Sequence, residues 1–282
     1  MNLETSIIPN LPAAEYHADP RLGSGTLRRA YTQSLAHVRW TLDKQKSGDV
    51  EPENEDMGFG HLFHTAILEP ARFAAEYRPS VERGKGFKAA NLKLQAAGHK
   101  LIKRDDLQTI WGMMGAIARN PIASKLVTES QHEFTVFAGD CKIRMDMWLE
   151  SERAIVDLKY TRDASPGEFG RSIATYGYHA QGAHYLDVAN AAGLQADRFV
   201  FLCVEARPPY AIGIYELDPE AIEIGRRQNA RALDKIRDAM VLESWPDYSP
   251  GKDEPIPRIS VPFWYATREA DRRAEEEARE VW

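Results

Sequence analysis

Apolar residues along the chain follow two rhythms, one near every 3.6 residues and one every second residue, and their succession sketches the fold. Leu27, Ala30, Tyr31, Leu35 and Val38 recur at helical spacing, which predicts one helix beginning near Gly25 and capped by Ser24. Met57 to Leu68 predicts a second, with Phe59, Leu62, Phe63, Ala66 and Ile67 on its apolar face. Pro70 stops it, and Gly58 and Gly60 admit a close backbone approach. Asp105 to Ala118 predicts a third, with Leu107, Ile110, Trp111, Met114 and Ile117 inward and Asn120-Pro121 at its end.

The rhythm then shortens to two. Residues 131–138 read as a strand with Glu133, Thr135 and Phe137 on one face and Phe134 and Val136 on the other. A hairpin follows, from Ile143 to Leu149, through a turn at Glu150-Ser151-Glu152-Arg153, and back along Ala154 to Tyr160. Ser165-Pro166-Gly167-Glu168 has the form of a capping box and opens a helix carrying Phe169 and Ile173. Tyr176-Gly177-Tyr178 closes it, and another helix runs from His179 to about Ala192. Arg198 to Glu205 is nearly continuous apolar sequence, the mark of a strand buried on both faces. Tyr210 to Leu217 returns as a strand, and Asp218-Pro219 opens a helix from Glu220 to Leu242 with Ile222, Ala232, Leu233, Ile236 and Met240 inward. Residues 1–20, 43–56 and 246–262 keep no period, and Thr267 onward is a charged helix with little apolar face. This order implies an α/β fold, a mixed central sheet flanked by helices. The expected organisation is one domain over residues 1–265 and a charged helical tail over residues 266–282.

Composition narrows the class. A chain of 282 residues with 43% hydrophobic content can bury a sizeable core. It contains no apolar run of the ~18 residues that a membrane span needs, and its N-terminus lacks the pattern of a signal peptide. Two cysteines, Cys141 and Cys203, cannot build an iron–sulfur cluster or a four-cysteine zinc site, and they suggest a reducing, cytoplasmic setting. The net charge of −6 argues mildly against a nucleic-acid partner. Against that average, the stretch from Arg78 to Arg104 concentrates cations, Lys85 and Lys88 among them, around a single acid before Arg104, Glu82. Those lysines are candidate DNA-phosphate contacts; a solvated loop accounts for them equally well.

The chemistry concentrates on the hairpin. Alternation puts Ile155, Asp157 and Lys159 on one strand face, with Asp146 about one hairpin away. Carboxylates of this kind suit Mg²⁺, which protein sites hold with one or two acids plus substrate phosphate. A neighbouring ammonium can orient the attacking water or steady charge on the phosphate. Such an array is what metal-dependent phosphodiester hydrolysis requires, although Asp157 and Lys159 alone would also fit a cross-strand ion pair. Glu133 precedes the hairpin as a possible further ligand, a hydrogen-bond acceptor behind the ligands, or a surface acid of an edge strand. His64 lies on a helix face where a histidine is more often a core residue than a ligand. Gln181 and Tyr185, four apart, project from one helix face.

Taken together, GHLFHTAILEP, RMDMW, IVDLKYT, DASPGEF, GYHAQGAHYLDVA and CVEARPPYAIGIYELD resemble the RecE-type exonucleases (exonuclease VIII), a branch of the PD-(D/E)XK nuclease superfamily. The likeness runs from about Tyr16 to Tyr248. It implies a restriction-endonuclease-like core and a catalytic set of His64, Asp146, Asp157 and Lys159, with Gln181 and Tyr185 as the Q-x-x-x-Y element. Asp146, Asp157, the Leu158 carbonyl and His64 would then hold Mg²⁺. Histidine fits Mn²⁺ better, so Mn²⁺ is expected to substitute. The resemblance further implies a 5′-to-3′ exonuclease on linear double-stranded DNA, a ring-shaped oligomer, namely a tetramer, and a single-strand annealing (RecT-like) partner. Arg28 is a candidate, on position alone, for gripping the terminal 5′-phosphate. The rivals are an endonuclease of the same fold, restriction or junction-resolving, and an inactive DNA-binding protein.

Overall fold

The computed structural model describes residues 4–47, 55–80, 86, 98–251 and 254–280. The chain divides into two units, Met1–Trp245 and Pro246–Trp282. The first contains strands β1 (Ser6–Pro9), β2 (Tyr77–Pro79), β3 (Lys100–Ile102), β4 (Gln131–Ala138), β5 (Cys141–Leu149), β6 (Ala154–Thr161), β7 (Arg198–Glu205) and β8 (Ile212–Glu216). Its helices are α1 (Ala13–Ala18), α2 (Ser24–Thr32), α3 (Leu35–Ser47), α4 (Glu55–Leu68), α5 (Pro70–Glu76), α6 (Arg104–Arg119), α7 (Pro121–Thr128), α8 (Pro166–Tyr176), α9 (Tyr178–Ala191) and α10 (Pro219–Leu242). The second unit carries α11 (Phe263–Glu280).

One sheet of order β1-β4-β5-β6-β7-β8 organises the first unit. Neighbours pair antiparallel except β6 and β7, which run parallel. A parallel pair needs a long crossover, and α8 and α9 provide it between these two strands. Two apolar clusters cover the two faces. One gathers Ile143, Met145, Ile155, Phe199 and Phe201 with Ala183 and Leu186 of α9. The other gathers Met147, Val156, Leu158, Val200 and Leu202 with Phe63 and Ile67 of α4. Strand β7 contributes to both, so both of its faces must be apolar, as its unbroken hydrophobic run predicts.

Several boundaries differ from the sequence reading. The single helix expected over residues 24–38 is two, α2 and α3, with Gln33 in extended backbone between them. Gly23, not Ser24, occupies the cap position, and α3 extends into the stretch read as irregular, as far as Ser47. Near the N-terminus, β1 lies along β4 and α1 follows it, where no period is visible. A four-residue edge strand is too short to reveal an alternation. On α6, Trp111 is 60% exposed while Met113 is fully buried, so the inward face is rotated from the expected one. On α10, Met240 is exposed and Asn229 is buried instead, its Nδ2 donating to the Ala180 carbonyl at 2.8 Å. The capping box at Ser165 does not close. Asp163 Oδ1 accepts from the Ser165 N–H, and Glu168 pairs with Arg171. Asn120, read as a stop signal, also caps α7 by accepting from the Ile122 and Ala123 N–H groups. Strand β8 begins at Ile212 rather than Tyr210, and α11 starts at Phe263.

Buried His184 on α9 ties the helix to β5: its Nε2–H donates to the Lys142 carbonyl at 3.2 Å. Burial pushes its pKa down to about 4. The unfolded chain therefore binds a proton below about pH 6.5 that the folded chain refuses, so stability falls as pH drops from about 6.5 to about 4. That gap corresponds to roughly 3 kcal/mol. Urea unfolding at pH 8 and pH 4.5 should show His184→Gln losing less stability between the two than wild type does. Equal losses would mean that His184 is not the group responsible.

Candidate active site

The site lies where two paired strands part. The β5–β6 ladder joins Leu149 to Ala154, Trp148 to Ile155 and Met147 to Val156, and stops there. One further step of that register sets Asp146 opposite Asp157. At the parting, the Leu158 N–H has no β5 carbonyl opposite it in the ladder and donates to Asp146 Oδ2 at 2.8 Å. A residue in extended backbone turns its C=O to the same side as its N–H, so the Leu158 carbonyl faces the same opening.

On the other side of β5, the pairs His132–Met147 and Phe134–Met145 bracket Glu133 and Asp146. Glu133 has φ of 50°, a left-handed backbone that side-chain-bearing residues seldom adopt inside a strand. Both strands turn over at this row. Phe134, Ile143 and Met145 belong to the α9-side cluster, whereas Met147 and Leu149 belong to the α4-side cluster. The alternation of β6 is undisturbed, which keeps Ile155, Asp157 and Lys159 on the α9 side. Glu133, Asp146 and Asp157 thus form a row across the sheet, which α4 reaches through His64 and α9 through Gln181.

From α4 comes His64, whose Nδ1 is 3.5 Å from Asp146 Oδ1. Its helix passes close to β6 at Gly60, where an added Cβ would stand 3.0 Å from the Tyr160 ring. From α9 comes Gln181, donating through Nε2 to Asp157 Oδ1 at 2.9 Å. One turn along α9 from Gln181, the Tyr185 ring meets Phe199 edge-on at 5.9 Å. Lys159 Nζ forms an ion pair with Asp157 Oδ2 and sits 4.9 Å from the centroid of the Tyr178 ring.

The electrostatics follow from crowding charges in a buried seam. Burial raises the pKa of Asp157, and Asp146 adds to the rise against the opposing pull of Lys159. Burial also acts against ionisation of Asp146, but His64 and Lys159 outweigh it and hold that carboxyl below its ordinary value. Burial likewise disfavours the charged forms of His64 and Lys159. The acids reverse it in both cases, Asp146 chiefly for His64 and Asp157 chiefly for Lys159, so both pKa values rise. Burial, then Asp146, pushes Glu133 up to about 7 in spite of its ion pair with Arg144. Strand β4 lies between β1 and β5, so Glu133 is a buried acid and not the edge-strand surface acid that the sequence also allowed.

These residues fit a hard divalent cation. Asp157 Oδ2 is buried and, apart from its ion pair with Lys159, has no hydrogen-bond donor among the described residues. Asp146 meets the Leu158 N–H at the opening that the Leu158 carbonyl also faces, and Asp157 stands one ladder step past the last β5–β6 pair. Among the described residues no three His, Cys, Asp or Glu side chains are gathered tightly enough to hold an ion by themselves.

Other candidates lie elsewhere. Arg28 is on α2, where its Nη2 donates to the Thr175 carbonyl at 3.5 Å and its side chain lies against Gly177, at the α8–α9 corner whose Tyr178 covers Lys159. Lys85 and Lys88 fall outside the described residues. Two neighbours of the row were not anticipated. Tyr178, against Lys159, gives no sign in the sequence. Arg144, paired with Glu133, stands two residues before Asp146, and that spacing on a strand was an available signal.

A sheet in which an antiparallel hairpin passes into a parallel pair, with acids at the parting and a lysine two residues on, defines the class: this is a PD-(D/E)XK core. The chain belongs to the family described as PDDEXK-like domain of unknown function (DUF3799), whose profile matches residues 32–254. Among solved structures it is similar to a protein of Eubacterium rectale named as a presumed exonuclease. Identity is 14%, coverage is 92% of this chain and 96% of that one, and the TM-score is 0.61. It also matches a phage-related exonuclease of Haemophilus somnus 129PT at 12% identity, over 79% of this chain and 96% of that one, with a TM-score of 0.37. No curated protein matches the sequence.

Proposed function

We propose that the protein is a divalent-metal-dependent deoxyribonuclease that degrades linear double-stranded DNA from its ends, in the 5′-to-3′ direction. The observation that carries the nuclease reading is the seating of Asp146 and Asp157 on facing strands where β5 and β6 part, with Lys159 against Asp157. The end-dependent form is supported by the motif order shared with RecE-type exonucleases and by the name of the Eubacterium rectale protein, which shares the fold.

In this reading Asp146, Asp157 and the Leu158 carbonyl hold Mg²⁺ or Mn²⁺, with His64 beside Asp146 at the edge of the set. When bound, the cation supplies Lewis acidity toward the phosphate and a lowered pKa for the attacking water. The chain's residues do the rest. Lys159 is held charged by the two acids and turned toward the site, where it orients the water and steadies charge on the phosphoryl oxygens. Gln181 fixes Asp157 from behind, and Tyr185 lies one turn along the same helix face. His64 holds Asp146 in position and, with Leu158 N–H, limits its rotation.

The test is digestion with Mg²⁺ of a linear duplex, with and without a 5′-phosphate, beside a covalently closed circle of the same sequence. Loss of the linear DNA alone, leaving single strands with intact 3′ ends, is the expected result. Cutting of the circle would make the protein an endonuclease, and survival of both substrates would leave a DNA-binding protein.

A further inference from the structure

The corner between α8 and α9 holds an aromatic feature that the chemistry at the acid row does not use. Tyr178, the first residue of α9, lies with its ring over Lys159 Nζ, 4.9 Å from centroid to nitrogen. Its other neighbour is Tyr176, the last residue of α8, at 5.5 Å between centroids and 31° between planes. Tyr178 is braced from behind by Phe169 and Phe201, at 6.2 and 5.8 Å. Tyr176 is 51% exposed. Contacts thus run from Lys159 through Tyr178 to Tyr176, whose ring is half open to solvent.

The corner is built to hold the two rings together. Gly177 between them has φ of 70°, a left-handed conformation that closes α8 and starts α9 within one residue. A Cβ there would stand 2.5 Å from the Tyr31 hydroxyl of α2. Only glycine fits both the backbone and the space, so the separation of Tyr176 from Tyr178, and through it from Lys159, is fixed by the fold.

We propose that Tyr176 is a stacking platform for a nucleobase flanking the scissile phosphate. With Lys159 at the phosphate, Tyr178 covers the lysine and Tyr176 presents an open ring one step further out. An unstacked base offers the matching flat face, and stacking tolerates any sequence because every base has a π-face. The ring's substrate is therefore a base separated from its duplex neighbour, as at a strand end being peeled open. This rests on the nuclease reading above.

The experiment is fluorescence anisotropy of labelled duplexes in Ca²⁺, which reads binding without depending on cleavage. Wild type, Tyr176→Ala and Tyr176→Phe are each compared on a normal duplex and on duplexes with an abasic site at successive positions near the 5′ end. A stacked base contributes about 1–3 kcal/mol, so Tyr176→Ala should weaken binding by about 5- to 150-fold, while Tyr176→Phe, which keeps the ring, should bind like wild type. At one position, base removal should weaken wild type by a similar factor and leave Tyr176→Ala little changed. Equal affinity of Tyr176→Ala and wild type overturns the platform and leaves the nuclease reading standing. So does a Phe variant as weak as Ala, or an abasic penalty that is the same in both proteins. Absence of DNA binding by wild type overturns both.

Discussion

Asp157→Asn is expected to abolish strand cleavage and leave the fold standing. The amide keeps the shape of the carboxylate and can still meet Gln181, but it removes the charge that would hold a cation opposite Asp146 and that keeps Lys159 protonated. If the bound cation contributes about 4 kcal/mol to the transition state, the loss in kcat is about a thousandfold. Two effects on stability oppose each other. Lys159 loses its buried partner, which costs, while Asp146 loses a like-charged neighbour, which stabilises. The melting temperature should therefore move by only a few degrees. Calorimetric titration with Mn²⁺ separates the causes: the variant should bind the ion far more weakly than wild type. Cleavage near the wild-type rate would refute the site.

The largest stability effect is expected at Phe201. It is fully buried, it stands opposite Asp157 in the β6–β7 register, and its ring meets Phe169 and Phe199 at 5.2 Å each. Truncation to alanine in such a setting costs roughly 3–5 kcal/mol. For a unit of this size, that lowers the melting temperature by on the order of 10 °C. Because Tyr178 rests on the same ring at 5.8 Å, the support behind Lys159 loosens too. Phe201→Leu, which refills most of the space, should recover most of the loss. A cost for the alanine variant below about 1.5 kcal/mol would show that the cluster collapses around the gap and is not the keystone described.

Much of this was legible in the sequence, and the limits are instructive. The hairpin, the doubly buried β7 and the shared face of Asp157 and Lys159 follow from period-two patterning, because β6 and β7 are regular strands in a covered sheet. Gln181 was legible as a residue projecting with Tyr185, but not as the donor to Asp157, since that contact joins residues 24 apart. The turning over of β4 and β5 at Glu133 and Asp146 was invisible. Alternation assumes one backbone conformation throughout, and a left-handed residue inside a strand violates it without changing residue type. The outward Trp111 and the unclosed capping box show two further limits. Apolar period and capping pattern state a preference, and competing contacts decide: packing for Trp111, and for Ser165 the carboxylate of Asp163 two residues before it.

The incomplete seam between β5 and β6 has a mechanical consequence. Strand β6 is bonded to β7 along its whole length, from Ala154 to Thr161, and β5 to β4 almost as fully, but β5 and β6 are clasped only next to their turn. Asp146 therefore belongs to one run of continuous pairing and Asp157 to the other. Past the ladder the seam is carried by the Leu158 N–H on Asp146 and by the apolar clusters on the two faces, so the spacing of the two carboxylates is set by side-chain packing rather than by strand pairing.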